Sequence, residues 1–520
     1  MIRRTFLKRV GGGSLGLATV AYLAGCQSGT SAETVAEEIT PESLGVSSQG
    51  LLDFLDAVAK SDLEFHSIMV SRHGHTLLEG WWHPFQKEYI HTLYSLSKSF
   101  TSTAIGMLRD DGKLSVEDKV ISFFPDQLPA TVSDHLAAMR VYDLLTMHTG
   151  HDEDTMGRIR EAGGDDWVKN FLHLEVPKAP GSYFLYNTGA TYMLSAIVQQ
   201  VSGQNVMSYL QPRLFEPLGI KGADWEEDPR GINVGGYGLR IRTQDILSFG
   251  QLYLQKGQWK GKQLLSEDWI AEATKKQVNS QDNDSDWGQG YGYQFWRCKP
   301  GGYRGDGAFG QYCIVVPEKD AVIAITSETK DMGASMQLVW DHILPAMQDA
   351  PIEAADEATG QTPEEQAEKL ALPTVQQSSA ETAQPTIDQR TYTFQDNEFG
   401  AEQVSFRFEG DQCEANFVEN GKTIRVASGL EHWLTADDRK EGNTLFAIPG
   451  RTLKPTLMSS YYYWTQPDTL VLVVKYVENV HGDQFTFTFA EKGLTLAFDN
   501  SLSYQSEAGD ERPTLEASLS

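Results

Sequence analysis

Three residues of this 520-residue chain could together make a hydroxyl nucleophilic without a histidine. Ser95 and Lys98 stand three positions apart in His91-Thr92-Leu93-Tyr94-Ser95-Leu96-Ser97-Lys98-Ser99-Phe100, and Tyr186 follows in Tyr186-Asn187-Thr188, just after Pro180-Gly181. At the start of a helix, Ser95 would have unpaired N–H groups and the positive end of the dipole beside it, both favourable to an alkoxide or oxyanion. Lys98 at i+3 lies on the same helical face. A solvated ammonium cannot take the serine proton, whereas a lysine enclosed near apolar or cationic groups can lose its own and become a base. A phenol brought next to Lys98 would have its pKa lowered and could serve as the base or as the proton shuttle. The chemistry indicated is acyl transfer through a covalent intermediate.

The elements that must hold these groups are readable around them. Leu96, Phe100, Ala104, Ile105 and Leu108 recur at threes and fours and predict a helix over 95–111, ended by Asp110-Asp111-Gly112. A second Ser-x-x-Lys, Ser327-Glu328-Thr329-Lys330, directly follows the apolar run Ala321-Val322-Ile323-Ala324-Ile325 and reads as a strand end and a solvated loop. A helix from Gln49 to about Lys60, strands near 66–72, 75–81 and 320–327, and a helix near 335–347 frame the region.

The segment Tyr94-Ser95-Leu96-Ser97-Lys98-Ser99-Phe100-Thr101-Ser102 resembles the class C β-lactamase-related serine hydrolases, a family that includes D-Ala-D-Ala carboxypeptidases, family VIII-type esterases and 6-aminohexanoate-dimer hydrolases. Further matches follow in order: Leu144-Leu145-Thr146-Met147-His148-Thr149-Gly150, then Pro180-Gly181 through Tyr186-Asn187-Thr188, Glu216-Pro217-Leu218-Gly219, Gly235-Gly236-Tyr237-Gly238, and Phe309-Gly310-Gln311-Tyr312 with Val316-Pro317. The resemblance runs from about residue 45 to 347. It implies a two-lobed α/β β-lactamase/transpeptidase-like fold: an antiparallel sheet flanked by helices, a mostly helical lobe, and the site in the cleft between them. It implies that Ser95 is acylated, that Lys98 activates it, and that Tyr186 passes the proton to the leaving group. The oxyanion donors would be the Ser95 N–H and an N–H near Gly307-Ala308. No cofactor and no metal are implied.

Two positions depart from the family pattern. Thr188 replaces the usual Asn or Ser of the Tyr motif, keeping a hydroxyl but losing the amide's donor and acceptor pair. The third motif, usually Lys-Thr-Gly or His-x-Gly, reads Gly305-Asp306-Gly307, with Arg304 beside it. In relatives that act on peptidoglycan or β-lactams, that lysine helps bind a substrate carboxylate. Its absence shifts the expectation toward esters or amides without a critical carboxylate, and Asp306 could favour a substrate amine near the scissile bond. The alternatives are a D-Ala-D-Ala carboxypeptidase or β-lactamase-like cell-wall enzyme, and a slow-turnover envelope binding or sensor lipoprotein.

Residues 1–26 read as a targeting segment. Arg3-Arg4-Thr5-Phe6-Leu7-Lys8 fits the twin-arginine pattern, a short apolar stretch follows, and Leu23-Ala24-Gly25-Cys26 resembles a lipobox. Cys26 would carry the lipid, placing the mature protein at a bacterial cell envelope. The formal charge is −28, and losing a leader with four basic and no acidic residues leaves −32. Such a chain is poorly suited to nucleic acid. The remaining Cys298, Cys313 and Cys413 require no disulfide framework, although Cys298 and Cys313 could face each other on neighbouring strands. Asp282–Gly288, with Trp287 where a calcium loop needs Gly, and His148/His151 with Asp152 and Asp154 are set aside as metal sites. His91, four residues before Ser95, either borders the pocket or packs in the core.

The expected organisation is a tether at 27–41, the hydrolase domain at 42–350 and a linker at 351–388 with a short helix at 363–371. A β-rich domain follows at 389–505, and a disordered tail at 506–520. Phe485-Thr486-Phe487-Thr488-Phe489 alternates with period two, Leu470–Val474 reads as a buried strand, and Asn420-Gly421 marks a hairpin, so a small all-β barrel or sandwich is predicted. Tyr461-Tyr462-Tyr463-Trp464 is expected to pack within it.

Overall fold

A computed structural model describes residues 39–353, 361–376, 382–437, 439–440, 445–446, 454–507 and 509–520. The leader and Cys26 lie outside the described residues.

The first lobe is a six-stranded antiparallel sheet made of β1 (Glu64–Arg72), β2 (His75–Trp81), β3 (Trp296–Arg297), β4 (Tyr303–Gly307), β5 (Gln311–Val316) and β6 (Ala321–Glu328), in the order β2-β1-β6-β5-β4-β3. The central strands β5 and β6 are buried almost throughout, which is why they read as continuous apolar runs rather than alternating ones. α1 (Ser48–Ala59), N-capped by Ser47, shares an apolar cluster with this sheet, and α4 (Thr243–Leu254) packs on β1, β5 and β6. Between β2 and β3 lies the mostly helical lobe, which contains α2 (Ser97–Asp110) and α3 (Thr188–Ser202).

α2 is enclosed on all sides. Every residue from Ser97 to Leu108 is buried, although only one stripe of the helix is apolar. Its hydroxyls are satisfied by loops of the second lobe and the sheet: Ser99 Oγ donates to Gln294 O (2.8 Å), Ser102 Oγ to Tyr293 O (2.8 Å) and Thr101 Oγ1 to Gly235 O (2.9 Å). Burial of these polar groups is tolerated because each finds an acceptor. The helix that begins beside Ser95 is thereby fixed in position from several directions.

The C-terminal region is a closed nine-stranded barrel. Its strands are β7 (Thr391–Phe394), β8 (Ala401–Glu409), β9 (Gln412–Glu419), β10 (Lys422–Leu430), β11 (Met458–Gln466), β12 (Thr469–Tyr476), β13 (Gly482–Ala490), β14 (Gly493–Asn500) and β15 (Leu515–Leu519). They run β10-β9-β8-β7-β15-β14-β13-β12-β11, and a parallel pairing of Gly429 with Tyr461 and Leu430 with Tyr462 closes the ring. Asn420 and Gly421, both at positive φ, form the predicted β9–β10 hairpin turn. Phe485, Phe487 and Phe489 point inward with Phe406, Phe417, Tyr462 and Trp464, whereas Tyr461 faces out and joins Trp433 and Val477 in the apolar cluster of the hydrolase sheet.

Two expectations are corrected. The tail is not irregular throughout: Leu515–Leu519 pairs with both β7 and β14 and completes the barrel. The segment read as a linker is in part docked: a short helix, Pro363–Ala367, carries a Thr362/Glu365 capping box, and Leu370 lies so close to Gly80 of β2 that a Cβ there would be 2.8 Å from Leu370 Cδ1.

Candidate active site

Ser95 sits in the 3-10 turn Tyr94–Leu96 that leads into α2, and it is partly exposed at the cleft between the lobes. Lys98 lies one turn on with 1% of its surface exposed. Its Nζ is 3.0 Å from Ser95 Oγ, 2.8 Å from the Gly236 carbonyl and 3.5 Å from Thr188 Oγ1. Gly236 permits that approach, because a Cβ there would be 2.7 Å from Thr188 Cγ2 and 3.5 Å from Lys98 Nζ.

Tyr186 arrives from the segment that leads into α3. Its hydroxyl neighbours the Ser95 side chain, and Lys98 Nζ lies 4.9 Å from the centroid of its ring. The ring stacks on Trp296 at 5.5 Å and 21°. Asn187 is the buried N-cap of α3: its Oδ1 accepts from Gly189 N (3.0 Å), Thr155 N (3.1 Å) and Thr155 Oγ1 (2.8 Å). That cap sets the first turn of α3, so Thr188 faces Lys98. Serine, lysine, tyrosine and threonine therefore converge at one point.

The electrostatics of Tyr186 differ from expectation. Burial, then the neighbouring Asp306 carboxylate, push its pKa up, and the Ser95 side chain beside it does not offset them. The net shift is upward, so Tyr186 is a neutral phenol at ordinary pH, suited to donating its proton rather than acting as a phenolate base.

The third wall is β4. Gly307 lies flat on the Ser95 turn, where a Cβ would be 2.1 Å from Leu93 O and 3.1 Å from Ser95 N. Ala308 follows it at the cleft edge, partly exposed. Asp306 is only 7% exposed and already committed: its Oδ2 accepts from Arg304 Nε (2.9 Å) and Trp287 Nε1 (3.2 Å). Burial raises its pKa despite Arg304. The expectation that Asp306 would attract a substrate amine is thus replaced by a role inside the wall. Arg304, fully buried beneath Trp287 and Trp296, is paired with that carboxylate. Lys98 aside, the third-motif wall has no net positive charge.

Cys298 and Cys313 are both free and buried, in different apolar clusters, and form no disulfide. His91 pairs with His66 (Nε2 to Nδ1, 2.9 Å) within the core. His148 and His151 are held by Thr146 O (2.8 Å) and Thr149 Oγ1 (2.9 Å) in the turn below the cleft. Among the described residues Glu64, His66 and Glu328 come together at metal-ligating distance, but Lys475 Nζ already lies 2.6 Å from Glu64 Oε1 and 2.9 Å from Glu328 Oε2. The cation there is an ammonium. Sequence reasoning did not foresee the Gly236 carbonyl, the Trp296 stack or the contact that the barrel makes with Tyr94. A main-chain acceptor leaves no side-chain signature, and the other two depend on distant segments.

A family model described as Beta-lactamase matches residues 58–348. A 6-aminohexanoate-dimer hydrolase of Paenarthrobacter ureafaciens is 24% identical over 286 residues, covering 51% of this chain and 73% of its own length. Penicillin-binding protein 4 of Amycolatopsis lactamdurans is 25% identical over 277 residues, with 44% and 70% covered. Among solved structures, a penicillin-binding protein homologue from Caulobacter crescentus is similar at 15% identity and a TM-score of 0.47, covering 56% of this chain and 95% of that one.

Proposed function

The chain belongs to the Beta-lactamase family of serine hydrolases, and from that premise we propose that it hydrolyses ester or amide bonds of a small, carboxylate-independent substrate through an acyl-enzyme on Ser95. The observation that carries this reading is the 3.0 Å contact between Lys98 Nζ and Ser95 Oγ, with the Tyr186 ring 4.9 Å from the same amine. As Ser95 Oγ attacks the carbonyl carbon, its proton passes to the Lys98 amine. Tyr186 donates its phenolic proton to the departing oxygen or nitrogen and takes a proton back from the neighbouring Lys98 ammonium. Water then enters along the reverse proton path and releases the acid, returning Ser95 to its hydroxyl form.

The carbonyl oxygen would be held by the N–H groups of Ser95 and Ala308. Gly307 lets β4 lie against the Ser95 turn, so Gly307→Ala is expected to lower kcat by about 10²–10³ while the protein stays folded. Steady-state kinetics alongside a melting curve checks this, and an unchanged kcat would remove β4 from the oxyanion site.

Substrate class follows from the third wall. With Arg304 fully buried and paired with Asp306, no exposed cation among the described residues of this wall is placed to receive a carboxylate. The lining offered instead is aromatic, with Tyr186 against Trp296 and Phe184 edge-on to Trp296 at 5.8 Å. Amidating or methylating the terminal carboxylate of a D-Ala-D-Ala peptide is therefore expected to change kcat/KM by less than about threefold. A charged hydrogen bond to that carboxylate would make the change roughly 10- to 100-fold. p-Nitrophenyl acetate or butyrate should turn over faster than either peptide. A strong preference for the free carboxylate would instead support the cell-wall carboxypeptidase.

A further inference from the structure

The barrel sends one side chain to the edge of the site. The β12–β13 hairpin closes through residues 477–481, held by Tyr476 N–H to His481 O (3.0 Å) and Val477 N–H to Leu457 O (3.0 Å), with Val477 buried in the hydrolase cluster. His481 at its end is fully buried. Its Nε2 is 2.5 Å from the Tyr94 hydroxyl and its Nδ1 is 2.7 Å from Glu328 Oε1 at the end of β6. The ring also meets Phe309 edge-on at 4.7 Å, and Phe309 meets Tyr94 at 5.2 Å. Glu328 is held in turn by Lys475 of β12: burial pushes its carboxyl up, but Lys475 and His481 outweigh that and leave it well below the usual range, hence ionised. Nδ1 faces this carboxylate, and Nε2 faces the Tyr94 hydroxyl.

The residues clasped here have a particular place in the chain. Tyr94 immediately precedes Ser95, and Phe309 immediately follows Ala308. Both are non-glycine residues at positive φ, +48° and +66°. Such conformations persist only where surrounding contacts over-determine them. His481 is a contact common to both, so one barrel side chain braces the backbone on each side of the proposed oxyanion donors.

We propose that His481 is a positioning residue for acyl transfer, through which the β-barrel completes the hydrolase site. This rests on Ser95 being the nucleophile. The test is a double-mutant cycle with Tyr94→Phe, His481→Phe and the double variant, plus His481→Gln, which retains an acceptor. It reads kcat and KM on p-nitrophenyl butyrate, the rate of Ser95 labelling by a fluorophosphonate, and the melting temperature. Each single variant is expected to lose about tenfold in kcat and in labelling rate with KM within about twofold. The double variant should lose no more than His481→Phe alone, and His481→Gln should recover most of the loss. Tyr94→Phe removes a single hydroxyl and gives the answer even if His481→Phe does not fold. A kcat within twofold of the parent in Tyr94→Phe, or losses that multiply in the double variant, would overturn the role. A parent protein that neither turns over the ester nor takes the label would defeat the hydrolase reading itself, and this role with it.

Discussion

Ser95→Ala is expected to abolish turnover, with kcat falling by about 10⁴–10⁶ and labelling by fluorophosphonate or fluorescent penicillin lost entirely. Covalent catalysis requires the atom that forms the acyl bond, and the alanine methyl offers none. The fold should be almost untouched. Ser95 is partly exposed, and the Lys98 amine keeps the Gly236 carbonyl at 2.8 Å and Thr188 Oγ1 at 3.5 Å when the serine oxygen is removed. The result is diagnostic because the chain carries a second Ser-x-x-Lys. There, Ser327 Oγ is buried and donates to Phe309 O (2.7 Å) and Gly310 O (2.9 Å), while Lys330 is exposed over the Tyr504 ring at 4.2 Å. Label retained in Ser95→Ala, followed by peptide mapping to another residue, would refute the assignment.

What the sequence makes legible about the site is what local backbone geometry enforces. Three residues of helix bring Lys98 under Ser95 wherever the helix forms, and Pro180-Gly181 ahead of Tyr186-Asn187-Thr188 leaves a turn feeding a capped helix. The protonation of Tyr186 was not legible, because its pKa is raised by burial and by Asp306, both properties of the assembled cleft. The burial of Asp306 against Arg304 and Trp287 was hidden for the same reason, and the amine-binding expectation failed with it. His481 lies 387 positions from Tyr94, and no pattern around either residue points to the other.

The fold divides along the same line. Period-two alternation and the Asn420-Gly421 turn are local, so the barrel was visible as a class. Closure was not, because the parallel pairing of Gly429 and Leu430 with Tyr461 and Tyr462 joins two strands through a long excursion. Leu515-Glu516-Ala517-Ser518-Leu519 does alternate, but its small and polar residues give weak strand propensity, and it becomes a strand only because β7 and β14 each present a free edge. α2 shows the opposite error. Its apolar stripe predicted one buried face, yet its serines and threonines are buried too, because loops from elsewhere supply carbonyl acceptors. Amphipathic patterning reports which face must be buried and is silent on which others can be.

Lys98 carries the second large effect, and paired substitutions separate its two possible contributions. Lys98→Met fills nearly the same volume in a site where the lysine is 1% exposed, so it removes the amine without opening a cavity. It is expected to lower kcat/KM by about 10²–10⁴, the range for loss of a general base, with Ser95 still labelled but much more slowly. Lys98→Arg restores a positive charge at the same place. A guanidinium does not give up its proton in a protein, so it can stabilise charge but cannot accept the proton from Ser95 Oγ. If Lys98 works by proton transfer, the arginine variant should be about as slow as the methionine variant despite its charge. Activity recovered to within tenfold of the parent by Lys98→Arg would show that the site needs a cation beside Ser95 rather than a base. The burden of deprotonating Ser95 would then fall on Tyr186, whose burial disfavours the phenolate that such a step requires.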